Sequence, residues 1–234
     1  MNYIELNGVR SNSITGLLIQ SLPPISKPLI RTEIEEIDGR DGDIITKLGY
    51  SAYDKEIEIG LRGNFDVDDV IKYFDSDGIV TFSNEPDKYY HYQIIEQIDF
   101  ERLVRYRTAK VTFHVQPFKY STTERQEDFT NLGNLHEILV TNSGNTKSKP
   151  QMTIYGGGTI NLSLNGNQLF AIELGNEGKI TLDSAQMEAY KDGVLKNRLV
   201  TGDYDNFMLN IGENTLSWTG DVSMVEIENY SRWI

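Results

Sequence analysis

The residue types most able to hold a metal or move a proton are three histidines, His91, His114 and His136, and they sit in unrelated contexts without ligand spacing. Asp75-Ser76-Asp77-Gly78 mimics part of a calcium loop. With Gly78 in the loop's sixth position, however, Tyr73 falls first and Asn84 twelfth, where an aspartate and a bidentate glutamate are required. The stretch reads better as the exit of a helix. Cysteine is absent, which removes disulfides, thiolate metal sites and Cys nucleophiles. No Gly-x-Ser-x-Gly, P-loop or His-Glu-x-x-His occurs. Glycoside hydrolysis needs only two suitably spaced carboxylates, but among 35 acids some pair meets that condition by chance. No catalytic residue, metal ligand or cofactor is assigned, and the chain reads as a non-enzyme.

Two groups of residues are better suited to binding. Tyr190, Tyr204 and Trp218 could each offer a flat face to a sugar ring, with Asp205 or Asn206 bonding to its hydroxyls. Tyr204 and Trp218 are the candidate carbohydrate contacts. Against Trp218 stands its spacing: it lies two residues from Leu216, on the same face of a strand, as core residues do. The second group is Asp38-Gly39-Arg40-Asp41, followed by Gly42. Two glycines around one arginine make a tight charged turn. The planar five-donor fork of Arg40 suits a carboxylate or carbonyl on a neighbouring subunit, so Asp38, Gly39, Arg40 and Asp41 are the candidate subunit or partner interface.

These residues need a β framework, and the pattern supplies one. Arg31 to Ile37 reads as a strand with imperfect alternation, in which a bulge is expected and Ile34 and Ile37 supply the apolar positions. Tyr3-Ile4-Glu5-Leu6 meets the hairpin signal Asn7-Gly8, and Ile14 to Leu22 is a second apolar segment. Lys55 to Leu61 alternates, with Ile57, Ile59 and Leu61 on one face and charge on the other. One helix is predicted over Val67 to Phe74, capped by Asp66 and striped by Val67, Val70, Ile71 and Phe74. Ile79 to Phe82, Tyr89 to Ile98 and Tyr106 to Val115 read as strands, and Pro117 as the close of the first domain. Residues 121–150 have loop composition apart from Glu137 to Val140. Beyond them, Gly156-Gly157-Gly158, Asn165-Gly166, Glu177-Gly178, Asp192-Gly193 and Gly212 punctuate short alternating runs, as in a jelly-roll or Greek-key sandwich. The expected division is 1–120, a linker with one strand over 121–150, and 151–234.

Composition narrows the partners. With 22 basic and 35 acidic residues the net charge is −13, which opposes binding to nucleic acid or to anionic membrane surfaces. The N-terminus lacks the basic region and apolar stretch of a signal peptide, and no apolar run approaches the roughly 18 residues of a spanning helix. Synthesis and folding in a cytoplasm are expected.

Phrases spread along the chain resemble the siphophage distal tail protein family (Dit), a component of the tail hub. They include Leu6-Asn7-Gly8, Glu36-Ile37-Asp38-Gly39-Arg40-Asp41-Gly42, Ile79-Val80-Thr81-Phe82 with Glu85-Pro86-Asp87-Lys88-Tyr89-Tyr90, and Lys110 to Tyr120. The second half adds Asn142-Ser143-Gly144 before Lys149-Pro150, then Gly212 to Trp218 and Asn229 to Ile234. The resemblance implies a mainly β chain. Its N-terminal β-sandwich-like domain, with one short helix, would form a hexameric belt at the siphovirus tail tip, and a C-terminal galectin-like sandwich would lie outside that ring. It also implies a virion structural protein, a baseplate hub between the tail tube protein above and the tail-associated or tip protein below. The outer domains would then be sites for host attachment, docking receptor-binding proteins or cell-surface glycans. The competing reading is a carbohydrate-binding module for cell-wall or capsule polysaccharide. The length leaves no room for the inserted arm of longer members.

Overall fold

In a computed structural model, residues 1–123, 126–130, 132 and 135–234 are described, so residues 124, 125, 131, 133 and 134 of the expected linker lie outside the described residues. The chain is mainly β and divides into two compact units, residues 1–122 with residue 234, and residues 123–233.

The first unit opens with β1 (Ile4–Leu6) and β2 (Val9–Arg10), joined at Asn7 and Gly8, whose φ angles of 49° and 83° match the twist of a tight hairpin. β3 (Leu17–Ser21) follows, then β4 (Ile30–Glu36), β5 (Asp43–Tyr50), β6 (Tyr53–Leu61) and α1 (Val67–Phe74). After these come β7 (Gly78–Phe82), β8 (Lys88–Gln93), α2 (Phe100–Tyr106) and β9 (Thr108–Ser121). One sheet runs β2-β1-β7-β8-β9-β6-β3, while β4 and β5 pair only with each other. The core gathers Ile57 and Ile59 of β6, Phe82, Tyr90 and Phe113, with Phe82 edge-on to both other rings at 5.9 and 5.7 Å between centroids.

Several expectations for this unit need correction. Lys55 shares the inward face of β6 with Ile57, Ile59 and Leu61, so that face is not purely apolar. Asp66 caps α1 by accepting from the Asp68 amide at 2.9 Å, yet the buried residues are Val70, Tyr73 and Phe74 while Ile71 is exposed. Tyr73 replaces Ile71 because its hydroxyl donates to the carbonyls of Ile4 and Val9, stitching the helix to the first hairpin. A second helix, α2, occupies Phe100–Tyr106, where only one was expected. Asp99 caps it, accepting from the Arg102 amide at 2.8 Å, and β8 ends at Gln93 rather than Ile98. Pro117 lies inside a strand: β9 runs on to Ser121, and the β8–β9 register slips between Tyr90 and Tyr92, opposite the proline, where a missing N–H is tolerated.

The second unit comprises β10 (Glu127–Phe129), β11 (Glu137–Asn142), β12 (Gln151–Leu164), β13 (Asn167–Gly175), β14 (Lys179–Asp183), β15 (Glu188–Lys191), β16 (Val194–Leu195), β17 (Val200–Gly202) and β18 (Gly212–Glu228). Its strands are not all short. β12 and β18 pair with each other along both their halves, but their other neighbours change midway. Residues 151–155 of β12 pair with β14 and residues 158–164 with β13; β18 likewise pairs with β11 before Gly220 and with β10 after it. Both strands thus pass from one layer of a sandwich to the other, around a single core that includes Ile154, Ile160, Ile172, Ile180, Phe207 and Trp218. Gly156-Gly157-Gly158 is therefore a bend inside a strand, not a break between strands. A Cβ on Gly156 would lie 2.0 Å from the Asp221 carbonyl oxygen, and one on Gly220 2.3 Å from that of Thr159, so the two strands cross here without side chains.

Candidate functional site

The turn over Asp38, Gly39, Arg40 and Asp41 lies at the tip of the β4–β5 hairpin. Tight reversal follows from the backbone: the Arg40 amide donates to the Ile37 carbonyl at 3.1 Å, and Gly39 and Gly42 adopt φ of +82° and +79°. All four residues are exposed, and among the described residues Arg40 forms no ion pair. The expected bulge is present near the root, where the register slips between Arg31 and Thr32 and leaves Leu48 without an opposite residue.

Isolated two-stranded ribbons are marginal in water, and among the described residues β4 and β5 pair only with each other and stay largely exposed. Ile34 and Ile45 face each other across the hairpin and are 58% and 59% exposed; Leu48 is 54% and Leu29, just before β4, 72% exposed. The apolar positions predicted at Ile34 and Ile37 therefore exist, but they meet no core of this chain. Sequence reading missed Ile45, Leu48 and Leu29 as companions of the turn. The signal was the equal pair of β-prone runs on either side of Asp38 to Gly42.

The root of the hairpin is held firmly. Within the segment leading to β4, the Pro24 carbonyl accepts from the buried Lys55 ammonium at 3.0 Å, and the Pro23 carbonyl accepts from the Asn84 side chain at 2.9 Å. The Ser51 amide donates to the Leu29 carbonyl at 2.8 Å, and the Tyr50 ring meets Phe118 edge-on. Lys55 sits 4.9 Å from the centre of the Tyr90 ring, beside Glu85, which bonds both Tyr90 and Lys119. Burial lowers the Lys55 pKa to about 8; Glu85 partly opposes the shift and Lys119 adds to it. Such an anchor presents a stiff base and an open, sticky arm. An exposed ribbon of this kind is open to edge pairing and apolar contact with another chain.

The carbohydrate candidates are placed elsewhere, in the second unit. Trp218 is 4% exposed and belongs to the core with Leu216, so its rings are not offered to a ligand. Tyr204 is half-buried, packed 4.7 Å from Phe170 between ring centres. Burial first, then Asp183 and Glu188, push its pKa up to about 12. The histidines do not converge: His91 packs between Tyr89 and Tyr120, and burial lowers its pKa, while His114 bonds Asp54 at 2.8 Å. Among the described residues no group of three or more metal-ligating side chains occurs, and no helix is long and apolar enough to cross a membrane.

No protein-family model and no curated protein matches the chain. Among solved structures, it is similar to the Dit protein of phage SPP1, described as a paradigm of the hub adsorption apparatus in phages that infect Gram-positive bacteria. That match covers 97% of this chain and 98% of the other, with a TM-score of 0.69 at 19% identity. Chains of the phage p2 baseplate in its activated conformation, with Sr and with Ca, match over 97% of both partners at 11% identity, with TM-scores of 0.46 and 0.45. The SPP1 likeness shows that this chain has the fold of that hub protein; the baseplate likenesses are too loose to add to it.

Proposed function

We propose that the chain is a structural component of a siphophage tail hub, closing into a ring of six copies that joins the tail tube to the tail-associated or tip protein. The observation that carries this reading is the β4–β5 hairpin: a ribbon anchored at its root, apolar along its length and uncovered by its own chain, on a fold shared end to end with a phage hub protein. Its function is geometric. Each hairpin lies against the next subunit, Ile34, Ile45 and Leu48 bury against it, and Arg40 at the tip meets a carboxylate or carbonyl there. Such head-to-tail contacts between unlike surfaces close a ring when the rotation allows. The second units serve as docking or adhesion sites on the virion tail.

Native mass spectrometry of the chain, alone and with its tail partners, tests the reading. A six-fold mass that Arg40→Glu diminishes while the melting temperature holds supports it. A strictly monomeric chain at high concentration, with no ring in the presence of those partners, overturns it.

A further inference from the structure

We propose that a carboxamide-lined cleft at one end of the second unit binds a sugar unit of an uncharged glycan. The cleft, about 410 Å³, lies between the β12–β13 turn, the 203–210 loop and Lys147, and its size is that of small-molecule sites. Asn165, Asn167 and Gln168 line it from the turn, Asn206 and Asn210 from the loop. Carboxamides both donate and accept, as sugar hydroxyls do, so one wall of this kind can serve a hydroxyl in either role. Leu164 and Leu169, both buried, and the half-buried Met208 add an apolar floor suited to the C–H face of a ring.

The carboxamides divide into those that build the cleft and those left for a ligand. Asn165 is structural: it donates to Asn214 Oδ1 and accepts from the Thr215 amide, both at 2.9 Å. Asn206 donates to Asp203. The side chains of Asn167, Gln168, Asn210 and Lys147 have no hydrogen-bond partner among the described residues. Two buried asparagines, each 1% exposed, fix the walls on which these free groups stand. Asn214 accepts from the Asn210 amide at 2.8 Å and donates to the Asn210 carbonyl at 2.8 Å. Asn142 donates to the carbonyls of Thr146 at 2.9 Å and Leu209 at 3.3 Å, on either side of the cleft from Lys147 to Asn210. Buried polar side chains spent on loop backbone, beside exposed ones left unpaired, describe a preorganised site.

Charge selects among ligands. A single lysine, Lys147, is the lining's one charge, too little to offset the chain's net charge of −13 toward an anionic glycan. A chain of net charge −13 still repels polyanions at long range, which disfavours nucleic acid. The inference is independent of the hub reading, since assembly is read by mass and sugar binding by spectroscopy.

The full chain would be titrated with the trimers of glucose, galactose and N-acetylglucosamine, followed by saturation-transfer NMR and calorimetry. Binding of at least one trimer is expected with a Kd on the order of 1 mM. The double variant Asn167→Ala/Gln168→Ala should weaken it about ten-fold, the effect of losing two or so hydrogen bonds, with the melting temperature unchanged. Asn161→Ala, which removes a carboxamide that faces Thr219 elsewhere on β12, should leave binding intact. The proposal is overturned if no trimer binds at concentrations on the order of 10 mM. It is equally overturned if the double variant binds as the parent does, or if a Gly-Ser-Gly peptide binds as well as the sugars.

Discussion

The two units differ in where they place exposed apolar residues and in how many uncharged polar side chains they bury. In the first, a core of aromatic and aliphatic side chains is complete, yet β4–β5 carries Ile34, Ile45 and Leu48 out into solvent on a ribbon with no cover. In the second, exposed apolar residues such as Leu139, Met187 and Ile211 sit on separate elements, while polar Asn142, Ser148, Asn214, Asn229 and Ser231 are buried. Scattered exposed apolar residues are ordinary; a row of them along one ribbon is what makes the hairpin the candidate interface. On the proposed reading the first unit keeps an apolar ribbon for another copy, whereas the second spends buried hydrogen bonds on shaping its loops.

The largest effects should come from breaking what each unit does by itself. Phe82→Ala should cost the first unit about 3–5 kcal/mol in urea unfolding, because the ring is buried against Tyr90 and Phe113. Gly156→Ala should cost the second about 3 kcal/mol, since its Cβ would collide with the Asp221 carbonyl at the strand crossing. In contrast, a Cβ on Gly39 meets nothing within 4 Å, so Gly39→Ala should cost only the left-handed backbone penalty of about 1 kcal/mol, confined to the hairpin tip.

A smaller effect concerns pH. Lys55 titrates near 8 in the fold against 10.5 when free, so between these values the unfolded chain binds the extra proton. Its burial penalty is therefore present in full below pH 8 and is relieved as pH rises to about 10.5. The difference in stability between the parent and Lys55→Met should shift in the parent's favour over that window, measured by urea unfolding at stepped pH; a flat difference would mean that Lys55 is hydrated. The smallest expected effect on the monomer is that of Arg40→Glu, within about 0.5 kcal/mol for an exposed turn residue. A large loss of stability would make the turn a fold element.

Much of this was legible in the sequence. The Asn7-Gly8 hairpin, the cap and span of α1, the bulge in β4 and the inward Leu216–Trp218 pair all follow from local pattern, because each depends on neighbours in the chain. What was not legible depends on distant partners. Ile34 looks the same in sequence whether its face meets a core or open water. α2 shows only Leu103 buried, too little for an amphipathic stripe. Three consecutive glycines resemble a loop until the crossing at Asp221 explains them. The buried Asn142 and Asn214 read as turn residues, since nothing local reveals which backbone groups they will satisfy.

The central claim is that the hairpin closes the ring, and replacing residues 31–49 by a short Gly-Ser link tests it most directly. Light scattering and native mass spectrometry of parent and variant, each with its tail partners, would be read beside their unfolding curves. The account predicts that the parent assembles, that the variant stays monomeric, and that the unfolding transition of the variant barely moves. A variant that still assembles into the parent's ring would contradict it.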